Sequence, residues 1–92
     1  MKKIKLGGNE YELPKISTKV MAELEENGYE ISKGYIFKNL VHVISYVTKK
    51  SVDEVYELID KDVEKGEFNF AECNEIVVNW LTKSDFFQKA IR

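Results

Sequence analysis

The sequence predicts a mainly α (α+β) domain, with an N-terminal β-hairpin packed on a bundle of four to five short helices. Three observations predict it. Residues 3–6 and 10–13 alternate apolar with charged side chains around Gly7-Gly8-Asn9. Residues 34–50, GYIFKNLVHVISYVTKK, are the longest apolar-rich run, with apolar positions at helical spacing. Ser51-Val-Asp-Glu54 and Asn69-Phe-Ala-Glu72 are capping patterns that each open a further amphipathic run. One domain over residues 1–92 is expected, with the hairpin at 2–13. Helical segments, caps included, are expected at 17–27, 34–50, 51–65, 69–83 and 84–91.

The hairpin admits two registers. A Gly7-Gly8 loop opposes Ile4 to Tyr11 and Lys5 to Glu10. A Gly8-Asn9 loop opposes Leu6 to Tyr11 and Lys5 to Glu12. Both collect the apolar residues on one face and match Lys with Glu on the other. An isolated two-stranded hairpin is marginal in water, so its apolar face must lie on helices. Pro14 ends the second strand, because it has no N–H to donate.

The first helix, Lys19–Asn27 behind a Ser17 or Thr18 cap, carries Val20, Met21 and Leu24 as its apolar stripe. Asn27-Gly28 stops it. Residues 29–33 read as a linker with Tyr29 and Ile31 packing inward, and Ser32 as the next cap. In the central helix Ile36, Phe37, Leu40, Val41, Ile44 and Val47 share the inner face. Lys38, Asn39, His42, Ser45, Tyr46 and Lys49 fall on the other side. Lys49 and Lys50 end it, where cations favour the helix dipole. The third helix spans Val52–Lys65, with Val52, Val55, Tyr56, Ile59 and Val63 inward and Leu58 alongside. The fourth, Phe70–Lys83, turns Phe70, Cys73, Ile76, Val77, Trp80 and Leu81 inward. A last turn, Asp85–Ile91 behind Ser84, is anchored by Phe86, Phe87 and Ile91.

Composition bounds the function. Ninety-two residues bury only about 60–65% of the unfolded surface, so stability is expected to be modest or shared with a partner. Residues 1–50 carry net charge +3 and residues 51–92 carry −5, giving −2. No strong basic field is present to hold phosphates, so no nucleic-acid partner is expected. No run reaches the length of a membrane span, and no apolar stretch follows the N-terminal lysines as in a signal peptide. A cytoplasmic location without membrane association is the expectation. Cys73 is the single cysteine, which excludes an internal disulfide.

No catalytic, cofactor-binding or metal-binding set emerges. His42 has no acid, thiol or hydroxyl placed beside it by spacing and reads as a surface or partner-facing residue. Asp60-Lys-Asp-Val-Glu64 has the opening spacing of a calcium loop. It fails where Lys65 replaces the turn glycine and Ala71 the bidentate acid. Cys73 reads as a buried structural thiol and Trp80 as core. Asp53, Glu57, Asp60 and Glu64 line one side of the third helix, as a solvated face or a docking strip for a basic partner. Adjacent Phe86 and Phe87 point about 100° apart, so one is expected to be less buried than the other. Together with Tyr11 on the hairpin, these residues are the candidate partner contacts.

The order of parts carries a resemblance. KIKLGGNEYEL leads into ISTKVMAELEENG, amphipathic helices follow, and the chain closes on WLTKSDFF. This layout resembles the small tail assembly chaperones of long-tailed bacteriophages and prophages of Gram-positive bacteria. The resemblance implies a non-enzymatic protein that binds tail tube and tape measure proteins during assembly and leaves the finished tail. The exposed hairpin edge and the aromatic end are the expected contact surfaces, since a protein that captures strands and releases them needs limited apolar patches on a solvated body. Homo-oligomerisation is left open. The competing expectations are a structural head–tail connector and a small regulatory nucleic-acid-binding helical domain.

Overall fold

Two glycines decide the hairpin register. In the computed structural model, which describes residues 3–30 and 36–90, Gly7 and Gly8 have φ of 60° and 83°, as a two-residue primed turn requires. Strands β1 (Lys3–Leu6) and β2 (Asn9–Glu12) pair antiparallel, with Ile4 opposite Tyr11 and Lys5 opposite Glu10. Of the two registers the sequence allows, the Gly7-Gly8 loop is therefore the one adopted. Ile4 and Leu6 are fully buried under the hairpin, while Lys3, Lys5, Glu10 and Glu12 face solvent.

Two long-range hydrogen bonds fasten the hairpin region to the helices. Gly7 N–H donates to Asp62 Oδ2 at 2.8 Å. The Pro14 carbonyl accepts from Trp80 Nε1 at 2.7 Å. Each satisfies a polar group that packing would otherwise leave without water.

Helix α1 (Thr18–Glu26) is capped by Ser17, whose Oγ accepts from Val20 N. It ends on left-handed Gly28 in a Schellman motif: Tyr29 N donates to Leu24 O and Gly28 N to Glu25 O. Leu24 is buried, with Val20 and Met21 packed around it.

Helix α2 (Ile36–Thr48) touches α1, β2 and the two helices that follow it, so it is the central post. The expected residues 34–35, the Ser32 cap and Ile31 lie outside the described residues. Leu40, Val41 and Ile44 are buried as expected. Three expectations need correction. Asn39 and Ser45 are buried, because a helix packed by neighbours on several sides has little outward face left. Both are satisfied: Asn39 brackets the Glu30 backbone N–H and C=O at 3.0 and 2.9 Å, and Ser45 Oγ donates to Lys50 O at 2.6 Å. Phe37 is the opposite case, 62% exposed. The helix stops at Thr48, and Lys49 takes φ 60°, a left-handed turn made without glycine.

Helix α3 (Val52–Glu64) begins with the complete Ser51–Glu54 capping box. Its inner line is Val55, Ile59 and Asp62, with Val52 and Leu58 at the margins. Tyr56 and Val63, expected inward, are 47% and 45% exposed. Asp62 holds the inner position because its carboxylate meets the Gly7 amide, which rotates Val63 outward. Gly66 closes the helix in a second Schellman motif, with Glu67 N donating to Asp62 O.

Helix α4 (Phe70–Thr82) is capped by Asn69, and it buries Cys73, Val77, Trp80 and Leu81. Helix α5 (Asp85–Ala90) starts where Ser84 Oγ accepts from Phe87 N. Expected anchor Ile91 lies outside the described residues. The architecture is thus an α+β fold, among the described residues an antiparallel hairpin followed by five helices.

Candidate functional site

The surface residues that could meet a partner fall into three places. The first is the outer face of α3. Asp53, Glu57, Asp60 and Glu64 are all exposed along it. By helical spacing Tyr56 and Val63, also exposed, lie along one flank of the strip, between it and the inner face. The binary pattern of the helix hid this, because Tyr56 and Val63 also fit the inner stripe by spacing. The signal was Asp62: it falls three residues after Ile59 on the same line and displaces Val63 from it.

The second place is an aromatic row. Phe37 meets Phe70 edge-on, with ring centroids 4.9 Å apart, and Phe70 meets Phe68 edge-on at 5.0 Å. The row runs from exposed Phe37 to Phe68, which lines an open cleft of about 340 Å³. Ile4 and Lys5 of β1 form one wall. The segment Gly66–Asn69 and the α4 residues Glu72, Cys73 and Ile76 form the rest. Sequence reasoning placed Phe37 in the core and did not find this row.

The third place is the C-terminal end. Phe86 and Phe87 are both half-buried, with ring centroids 5.8 Å apart, and both pack on the core. Neither ring is exposed, and α5 lies in contact with α4. Tyr11 is half-buried on the core side of the hairpin, opposite Ile4. These three aromatics are packing residues first. The structure does not bring them together with the acidic strip of α3.

The polar side chains that drew attention have structural environments. His42, expected at the surface, is half-buried against the α1 terminus, and its Nδ1 is buried without a hydrogen-bond partner among the described residues. A Cβ at Gly28 would sit 2.7 Å from its Cε1, so the imidazole fills the space that glycine leaves. The backbone carbonyl of His42 accepts from Asn27 Nδ2 at 2.8 Å. Tyr46 Oη donates to Glu23 Oε1 at 2.7 Å. Burial, then the hydrogen bond and charge of Glu23, push its phenol up to about 12. Cys73 is buried, and burial followed by the charge of Glu72 pushes its thiol up to about 11. A thiol so raised carries almost no thiolate at neutral pH and is a poor nucleophile.

Among the described residues, no three His, Cys, Asp or Glu side chains are grouped to hold a metal ion. No described helix is long and apolar enough to cross a membrane. The arrangement offers an acidic face flanked by exposed apolar residues on α3 and an aromatic-walled cleft beside β1.

No family model, curated protein or solved structure matches the chain.

Proposed function

We propose that the chain is a non-enzymatic tail assembly chaperone of a long-tailed bacteriophage or prophage, acting in the host bacterial cytoplasm. Its clients on this reading are the tail tube and tape measure proteins. The resemblance in the order of parts, from KIKLGGNEYEL to WLTKSDFF, supports the family. The outer face of α3 carries the argument for protein binding. It holds Tyr56 and Val63 in water, beside a strip of four carboxylates, in a chain small enough to need every apolar side chain in its core.

A chaperone of this kind must hold a client and then let it go. Apolar anchors of this size beside a charged strip suit a small interface that dissociates, since a few aromatic contacts dominate affinity and the neighbouring charge tunes the rate. The test is co-expression with the tail tube protein encoded by the same phage. The tube protein is expected to co-purify with this chain and to stay in the soluble fraction. Tyr56→Ala with Val63→Ala is expected to weaken that recovery with the fold retained. A tube protein that neither co-purifies nor gains solubility would sink the proposal.

A further inference from the structure

We propose that the outer edge of β1 is a docking site for one extended segment of a partner protein. That segment adds as a third strand and alternates acidic with apolar side chains. This rests on the reading of the chain as a protein-binding module and names the chemistry of what it takes.

The backbone pattern selects the edge. A two-residue primed loop is closed by a hydrogen-bonded pair, here Leu6 and Asn9, and hydrogen-bonded pairs then alternate along the ladder. Ile4 and Tyr11 are the next such pair, so Lys3 and Lys5 direct their N–H and C=O groups away from β2. Gly7 continues the same parity, and its outward N–H is taken by Asp62. Among the described residues nothing bonds the corresponding backbone groups of Lys3 and Lys5. They form a short open edge, and the cleft lies beside it.

The cleft supplies the side-chain chemistry. Its walls include Ile4, Phe68, Cys73 and Ile76 beside the polar Lys5, Glu67, Asn69 and Glu72, so an added strand can set an apolar side chain against the apolar part. Lys3 and Lys5 stand on the opposite, solvent face of the sheet, where the neighbouring strand β2 presents Glu12 and Glu10. Lys3 Nζ lies 3.9 Å from Glu10 Oε1, an exposed and weak pair, and a strand on the free side adjoins the same two lysines. Acidic residues at its solvent-facing positions would complement them. A second copy of β1 laid antiparallel would instead bring lysine to lysine, the usual device by which an edge resists self-pairing. The occupant is therefore a partner strand and not another copy of this edge. Main-chain hydrogen bonds would give affinity, and the cleft and lysines would give preference.

The experiment titrates the full chain, with its amides assigned by NMR, with a capped seven-residue peptide alternating Glu and Val. Peptide concentrations run to about millimolar, the range expected for so few contacts. The expected result is saturable shifts and slowed hydrogen exchange at Lys3 and Lys5, with Glu10 and Glu12 unprotected. The same peptide N-methylated at its edge-facing amides is expected to bind about tenfold more weakly or worse, with no change made to the protein. Lys5→Pro removes one edge donor and is expected to abolish binding while circular dichroism stays unchanged. Three results would overturn the proposal: no binding, equal binding of the N-methylated peptide, or protection of Lys3 and Lys5 in a self-associated form without peptide. Failure here with the tube protein still co-purifying would leave the chaperone reading standing and remove only this edge.

Discussion

At the scale of single residues, the fold depends on a few polar atoms placed deep in it. Asp62 is the clearest. Its carboxylate ties the hairpin turn to α3, so Asp62→Ala leaves the Gly7 amide without its partner. We expect a loss of about 1–3 kcal/mol in urea unfolding, with Asp62→Asn losing less. Gly28 is constrained twice, by φ of 102° and by the His42 ring. Gly28→Ala is expected to cost about 2 kcal/mol, and pairing it with His42→Ala should recover part of that, a coupling a double-mutant cycle would read. The pH dependence follows from Tyr46 and Cys73, whose folded-state values lie above the ordinary ones of 10.0 and 9.0. The native state then holds these protons more tightly than the unfolded chain. Their contribution is fully present below about pH 9 and is lost as pH rises through 9–11 for Cys73 and 10–12 for Tyr46. Urea midpoints measured from pH 8 to 11.5 are expected to fall, and less steeply in Cys73→Ala with Tyr46→Phe.

At the scale of elements, boundaries were legible wherever a cap wrote them into the sequence. Ser17, Ser51, Asn69 and Ser84 each start the helix expected of them, and Gly28 and Gly66 each end one. What local pattern could not show was the identity of the outer face. Tyr56 and Val63 match the inner stripe by period and face out, since burial is decided by what lies opposite and not by spacing. Phe37 fails for the same reason, and Asn39 and Ser45 are the converse. The stop of α2 was also hidden, because Lys49 turns left-handed where glycine is usual. Lys49→Gly is therefore expected to stabilise the fold by about 0.5–1 kcal/mol, seen as a raised urea midpoint. Ser51→Ala, which removes the capping box, is expected to cost about 1 kcal/mol in the same measurement.

At the scale of the whole molecule, α2 is scaffold, and the surfaces it leaves open lie on α3 and beside β1. The acidic strip of α3 was legible as one helix face, without its exposed Tyr56 and Val63, whereas the cleft is assembled from residues far apart in sequence. The cleft alone joins Ile4 to Ile76. The proposed function is that these surfaces hold a tail protein during assembly and release it. Quantitative mass spectrometry of the phage that this proposal takes to encode the chain, comparing infected-cell lysate with purified virions, tests this most directly. The account predicts the chain in lysate, bound to tube or tape measure protein, and its absence from finished particles. A fixed number of copies in every virion would contradict it and make the chain a structural component.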